Sequence, residues 1–142
     1  MKLYENLEKL EARTITIFLD ACFSGASRKS DKIQPENLVA MKGIRVKPKL
    51  NQPWQNNPNF SVISSSGADE TSLALDASQT GLFTYYLCAG LRGLADENQD
   101  RAITLGEIYR YVKEQVTDTS KKISGIQTPE FHGNPDIILM EY

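Results

Sequence analysis

The sequence predicts an α/β domain with a mainly parallel sheet, and three patterns support this. Apolar residues recur at helical spacing within 3–12, and a β-branched, almost wholly apolar run follows at 14–19. A second strand-like run at 60–64 precedes two stretches of helical periodicity, 81–92 and 104–116. A helix that leads into a buried strand is typical of folds in which helices cover a sheet.

The first helix and the first strand lie at the start of the chain. Leu3, Leu7 and Leu10 fall on one helical face with Glu and Lys between them, so a short amphipathic helix is predicted over 3–12. The run Thr-Ile-Thr-Ile-Phe-Leu at 14–19 is rich in β-branched residues and is predicted to be a buried strand of a parallel sheet.

A long polar stretch at 26–59 separates this pair from the rest of the chain. We expect a short helix near 35–41 and a short strand near 44–46 within it. Loops of this length inside a compact domain are usually functional or mobile.

The second half of the chain repeats the alternation of strands and helices. The strand at 60–64 ends in Ser65-Ser66-Gly67, and a last strand is predicted at 137–140 after Gly133-Asn134-Pro135. Each helix has an apolar face, formed by Phe83, Tyr86, Leu87 and Leu91 in the helix at 81–92 and by Leu105, Ile108, Val112 and Val116 in the helix at 104–116.

Composition excludes several classes of protein. The length of 142 residues fits one domain, and a net charge of -2 gives no general attraction to nucleic acid or to a membrane surface. No apolar run approaches the roughly 20 residues of a membrane span, and the N-terminus lacks the layout of a signal peptide. Two cysteines make no disulfide framework, so a reducing, cytoplasmic location is expected, although a Cys22–Cys88 bridge stays open.

Cys22 lies just after the first strand, where α/β sheets usually place their sites. Gly25 permits a sharp exit from the strand, and Asp20 and Cys22 point to one side while the chain stays extended. A nucleophilic thiol needs a base and donors for the oxyanion, and the backbone N–H groups around Cys22 are candidate donors. The alternative for Cys22 is a small, buried, apolar side chain without a catalytic role. Cys88, in its helix, is predicted to be such a residue.

The segment Thr14-Ile-Thr-Ile-Phe-Leu-Asp-Ala-Cys-Phe-Ser-Gly25 resembles the nucleophile strand of the caspase and metacaspase superfamily. The resemblance continues in three segments that are similar to the small-subunit half of the family, Phe60–Ser66, Gly67–Ser72 and Gly81–Leu87. Two more are similar to bacterial members, Thr104–Tyr109 and Gln127-Thr128-Pro129. It implies a three-layer caspase-like fold with a six-stranded, mainly parallel sheet. It also implies peptide hydrolysis by a Cys–His dyad, with Cys22 as the nucleophile.

By this resemblance, the chain divides into a nucleophile strand region at 1–25, a polar loop and candidate processing region at 26–59, and a small-subunit-like half at 60–142. Asp20 and Asp76 stand where relatives line the pocket for the P1 residue, and two carboxylates there favour a cation. We therefore expect a peptide or protein substrate cut after Arg or Lys. The alternative is that both are solvated loop acids.

A basic P1 preference turns the basic residues of the polar loop into candidate self-cleavage sites. The alternative for each of them is a solubilising surface residue. The seven residues are Arg28, Lys29, Lys32, Lys42, Arg45, Lys47 and Lys49.

The chain has one histidine, His132, which lies far downstream of Cys22 and is predicted to be a loop residue. In the family, the catalytic histidine lies on the strand before the nucleophile strand. This sequence therefore resembles only the C-terminal part of a caspase-like domain. We expect that another polypeptide supplies the missing segment, that proteolysis removed it, or that the sequence is a fragment. The alternative is an inactive, caspase-like interaction module.

Residues 96–107 resemble an EF-hand loop, with liganding positions at Asp96, Asn98, Asp100, Thr104 and Glu107. Arg101, however, occupies the position at which an EF-hand loop has glycine. Thr104-x-x-Glu107 is a capping box that begins the next helix. We therefore expect no cofactor, with calcium as the alternative. A scaffold controlled by calcium or by a disulfide ranks below both the peptidase and the interaction module.

Overall fold

A computed structural model describes residues 2–20, 53–67, 74–75, 80–123 and 125–142. The helices in these ranges are α1 (Lys2–Glu8), α2 (Leu82–Ala89) and α3 (Leu105–Lys122). The strands are β1 (Ile15–Leu19), β2 (Phe60–Ser64), β3 (Ala74–Leu75), β4 (Thr80–Gly81), β5 (Ala102–Thr104), β6 (Glu130–His132) and β7 (Ile138–Glu141). The fold is α/β, as the sequence predicts.

The central sheet of the described residues has the strand order β1-β2-β6. β1 pairs in parallel with β2, from Ile15 opposite Phe60 to Leu19 opposite Ser64. β6 runs antiparallel to β2, with Val62 opposite His132, so this part of the sheet is mixed. β1 is predicted to be buried, but all five of its residues are half-buried, because β1 is an edge strand of the described sheet.

Apolar side chains on the two faces of the sheet form two separate clusters. On one face, Tyr4 of α1 packs with Phe60 and Val62 of β2, and Trp54 closes this smaller cluster. On the other face, Ile63 contacts the larger cluster contributed by α2 and α3. Side chains alternate along a strand, so β2 contributes to both clusters, and helices cover the sheet from both sides. This is the three-layer arrangement expected from the sequence.

The last strand lies outside the central sheet. β7 pairs antiparallel with β5, with Ile103 opposite Met140, and these two strands form a small sheet of their own. Ile103 is fully buried, so this small sheet closes one end of the larger cluster. Among the described residues, no helix combines the length and the apolar character that crossing a membrane requires.

α3 begins at its predicted capping box, but α2 and α3 end differently from their predictions. α3 begins at a capping box, in which the Thr104 side chain accepts a bond from the Glu107 backbone and the Glu107 carboxylate accepts one from the Thr104 backbone. It extends to Lys122, six residues beyond the predicted end at 116. α2 continues as a wide helical turn over Gly90–Leu94, in which Gly93 has a φ of 110° and lies against Tyr142.

Part of the polar loop at 26–59 belongs to the described residues. Pro53–Gln55 forms a 3₁₀ turn, and its Trp54 ring stands edge-on to Tyr4 of α1, with the centroids 5.8 Å apart. The helix predicted near 35–41 and the strand predicted near 44–46 lie outside the described residues. The described end of this loop is therefore anchored in the smaller cluster.

Candidate functional site

Asp20 follows the last residue of β1, at the carboxyl end of the sheet. The hydroxyl of Thr84, in the first turn of α2, donates a hydrogen bond of 2.5 Å to the Asp20 carboxylate. This length is typical of an O–H group bonded to an ionised carboxylate. Phe18, two residues earlier, packs against the larger cluster on the same face of the sheet. The strand alternation thus aims Asp20 toward α2, while its side chain stays exposed to solvent.

Gly81 provides the space that the Asp20 carboxylate occupies. A Cβ at position 81 would overlap the carboxylate oxygen of Asp20. Gly81 is also the N-cap residue of α2 and has no side chain with which to cap the helix. The helix N-terminus carries a partial positive charge, so a carboxylate brought there from another element is stabilised. Asp20 therefore joins the end of β1 to the beginning of α2.

The contact with Gly81 also brings Asp20 to a short hairpin. Gly81 of β4 pairs with Ala74 of β3, and Thr80 pairs with Leu75. Asp76 follows Leu75 directly in the sequence, but Asp76 lies outside the described residues, as does Cys22. The roles of Cys22, Asp20 and Asp76 stay predictions, and among them only the position of Asp20 is described.

Ser65 continues β2 beside the end of β1. Its backbone N–H donates to the Leu19 carbonyl at 2.8 Å, and its own carbonyl accepts a bond of 2.8 Å from the side-chain amide of Gln127. Ser65 and Gln127 are both buried, and the Ser65 hydroxyl has no hydrogen-bond partner among the described residues. The Gln127 amide thus holds the carboxyl end of β2, which in turn holds the carboxyl end of β1.

His132 lies on the face of the sheet opposite to the one from which Asp20 contacts α2. It is the last residue of β6, so the prediction of a loop position was wrong. Its imidazole is stacked on Trp54, with the ring centroids 4.9 Å apart and the planes 13° apart. Trp54 belongs to the smaller cluster, whereas Asp20 faces α2 on the opposite side. His132 is therefore not placed to serve as the base for a thiol on the Asp20 side of the sheet.

Cys88 is on α2, as predicted, but the prediction that it is buried was wrong. Its side chain is exposed as a free thiol. The apolar neighbour Leu87 is buried in its place, because consecutive helical residues point about 100° apart and only Leu87 falls on the inner face.

The acidic loop before α3, which contains Asp96 and Asp100, is held by hydrogen bonds between its own residues. The Asn98 side chain accepts from the backbone of Asp100, and the Asp96 carboxylate accepts from the backbone of Arg101. Arg101 has a φ of 66°, which is the conformation that glycine supplies in an EF-hand loop. Glu107 is buried, and one of its oxygens accepts from both the backbone and the hydroxyl of Thr104. The capping role of this glutamate is thus observed.

Sequence reasoning missed the residues that hold Asp20. Gly81 and Thr84 both belong to the segment Gly81–Leu87 that carries the family resemblance, but both contact Asp20 from far along the chain, and Thr84 lies 64 positions after it. The available signal was the glycine and threonine three residues apart at the start of a helix. Only the packing of α2 on β1 shows which side chain they serve.

Comparison with known proteins gives one family. The family model described as Caspase domain matches residues 2–136 of the chain. A search among curated proteins found no match.

Proposed function

Because this chain belongs to the caspase domain family, whose members are cysteine peptidases, we propose that it is a cysteine endopeptidase that cuts after Arg or Lys. The observation that carries the proposal is the family match over 2–136, which includes the motif Asp20-Ala21-Cys22 after β1. A peptidase family implies peptide or protein substrates.

In the proposed reaction, the Cys22 thiol gives its proton to a histidine, and the sulfur attacks the carbonyl carbon of the scissile bond. Backbone N–H groups near Cys22 stabilise the oxyanion. The C–N bond then breaks, and the histidine returns the proton to the leaving amine. Water hydrolyses the thioester that remains, which releases the acid product and restores the thiol.

The preference for a basic P1 residue rests on Asp20 and Asp76. Asp20 is an exposed carboxylate at the end of β1 and contacts Gly81 of the β3–β4 hairpin. We propose that an extended substrate pairs with the backbone of Ala74 and Leu75, as in strand addition, and directs its P1 side chain toward the two acids. A carboxylate pair partly shielded from water favours a cation and rejects an anion.

The catalytic histidine is proposed to come from outside this sequence. The chain has a single histidine, His132, and it is stacked on Trp54 on the sheet face opposite to Asp20. We propose that the segment with the histidine carries a strand that pairs with β1, which is an edge strand of the sheet that the described residues form. The half-buried apolar side chains of β1 support this, because an unpaired apolar edge invites another strand.

Intact-mass analysis of the purified active material tests this source of the histidine. We expect a second species, or a chain that extends before Met1, in every active preparation. A single species near 15.9 kDa that hydrolyses peptides on its own contradicts the proposal.

The second candidate function is an inactive, caspase-like interaction module. The position of His132 favours it, since no histidine of this chain faces Asp20. In the family, the catalytic histidine lies on the strand before the nucleophile strand. A His-Gly pair encoded upstream of residue 1, in a segment similar to that strand, favours the peptidase over the interaction module.

Hydrolysis of fluorogenic peptides that differ only at P1 tests the proposed activity. We expect cleavage after Arg and Lys but not after Asp, and a fall in kcat of about 10³-fold or more in Cys22→Ala. Cys88→Ala is the matched control, because Cys88 is also a free thiol and is exposed on α2. Equal rates in wild type and Cys22→Ala exclude the peptidase, whereas cleavage after Asp excludes only the basic specificity.

A further inference from the structure

We propose that Thr84 and Gly81 are positioning residues, which fix the carboxylate of Asp20 so that the P1 pocket selects a cationic side chain. This inference rests on the proposed function, because it concerns the specificity of that same site. It assigns a role to two residues of α2 and β4 that are not themselves acids.

The hydrogen bond from Thr84 restricts the direction of the carboxylate. The Asp20 side chain is exposed, and an exposed aspartate usually samples several rotamers. Thr84 is half-buried in the first turn of α2, and its hydroxyl bonds the carboxylate at 2.5 Å. A charge-assisted bond of this length holds one carboxylate oxygen in place and so orients the other.

Gly81 sets the position of the carboxylate from the other side. Its Cα lies so close to Asp20 that a Cβ would meet both carboxylate oxygens and the carbon between them. The backbone of Gly81 has a φ of -61° and a ψ of 145°, which any residue adopts. The glycine is therefore required for the space it leaves and not for its conformational freedom.

These contacts couple the carboxylate to the hairpin that the substrate is proposed to meet. Gly81 pairs with Ala74 across the hairpin, so Asp20 is held against the same element that the extended substrate joins. An acid that moves freely loses part of its attraction for a bound cation, because it spends time directed into water. The bond from Thr84 thus contributes to the preference for a charged P1 residue over a neutral one.

The test compares two peptides that differ by charge alone, with arginine or citrulline at P1, on the complete active protein. Loss of one such bond at an exposed site is expected to lower the arginine-to-citrulline ratio of kcat/KM by about 3- to 10-fold in Thr84→Val. Thr84→Ser retains the hydroxyl and is expected to restore the ratio. Gly81→Ala pushes the carboxylate aside and is expected to lower the ratio without removing the Thr84 hydroxyl.

A double-mutant cycle separates positioning from a general stabilisation of α2. Asp20→Asn is expected to lower the ratio, and Thr84→Val is expected to lower it no further in that background, because its effect passes through the carboxylate. Thr119→Val is the matched control, since Thr119 has a side-chain bond of 2.8 Å to Tyr86 on the contact between α2 and α3. If Thr84→Val does not fold, the same ratio of kcat/KM is measured in Thr84→Ala and Gly81→Ala.

Three results overturn the inference. The first is an unchanged ratio in Thr84→Val with wild-type cleavage after arginine, which leaves the proposed function intact. The second is an equal fall in kcat/KM for both peptides, which shows a structural role for Thr84. The third is a wild-type protein that cleaves neither peptide, which removes the proposed function together with the inference.

Discussion

Single side chains in this chain act through partners that are distant in sequence. Asp20 is bonded to Thr84, and the Asp96 carboxylate accepts a bond of 2.8 Å from the hydroxyl of Tyr142, the last residue. Strand alternation predicts the face to which Asp20 points. It gives no information about its partner, because the position of α2 against β1 depends on the packing of the larger cluster.

The bond between Asp96 and Tyr142 shifts the pKa of both groups. Desolvation acts to raise the pKa of the Asp96 carboxyl, but the hydrogen bond from Tyr142 and three backbone N–H bonds outweigh it, so this pKa lies below its ordinary value. The same bond, together with desolvation and the nearby Asp96 charge, raises the pKa of the Tyr142 phenol. The folded state thus favours an ionised Asp96 and a protonated Tyr142.

We expect Tyr142→Phe to lower the urea midpoint of unfolding by an amount that depends on pH. A depressed pKa at Asp96 stabilises the fold above its unfolded value near 4, and this contribution is lost as pH falls through the folded value. A raised pKa at Tyr142 stabilises the fold below about 10, and this contribution is lost as pH rises through the folded value. The difference from wild type is therefore largest between these limits.

Urea unfolding of both proteins over this range of pH measures that difference. Tyr85→Phe is the matched control, because Tyr85 is an exposed tyrosine of α2. A Tyr142→Phe difference that does not change with pH contradicts the prediction.

At the scale of elements, strong periodicity predicted that a helix exists more accurately than it predicted where that helix ends. α3 extends past Val116 because Ser120 continues its buried face, and a buried serine gives no apolar signal. The Ser120 hydroxyl instead accepts a bond from the backbone of Gln127. β3 and β4 have two residues each, which is too short for any alternation to be seen. Of the site, the sequence predicted the strand that ends before Asp20, but not the residues that hold Asp20, and a common direction of Asp20 and Cys22 stays a prediction.

Gln127 links α3 to the carboxyl ends of β2 and β1, so its loss is expected to reach the site. Gln127→Leu leaves the buried Ser65 carbonyl without its bond, which costs about 1–3 kcal/mol of the free energy of unfolding. We also expect a lower kcat, because Ser65 is bonded to the last residue of β1.

Urea unfolding and peptide hydrolysis of the same variant measure the two effects. Gln115→Leu is the control, at a half-buried position of α3. Normal stability and normal activity of Gln127→Leu exclude this linking role.

At the scale of the whole molecule, packing joins the described residues on either side of the predicted polar loop at 26–59, which we call the two units. β1 pairs with β2 over five positions, and Tyr4 of α1 packs with Phe60 of β2 in the smaller cluster. These contacts cross the loop at 26–59, so cutting the loop leaves them in place. Processing of the loop therefore need not separate the two units.

We expect the active protein to cut itself after one or more of the basic residues between Arg28 and Lys49. Mass spectrometry of the incubated protein is expected to show new C-termini at Arg or Lys in this range, and Cys22→Ala is expected to stay intact. Native size-exclusion chromatography is expected to give one peak before and after the cut, because the packing between the units persists. Cleavage of Cys22→Ala at the same sites contradicts self-processing, and separation of the pieces contradicts the role of this packing.

The stack between Trp54 and His132 gives the protein an intrinsic fluorescent probe. Trp54 is the single tryptophan of the chain, and it lies where the end of the polar loop meets α1 and β6. Its emission spectrum therefore comes from this one junction. Detachment of α1, displacement of β6 or release of the loop end each changes the surroundings of the same indole, so events of assembly are visible by fluorescence without an attached dye.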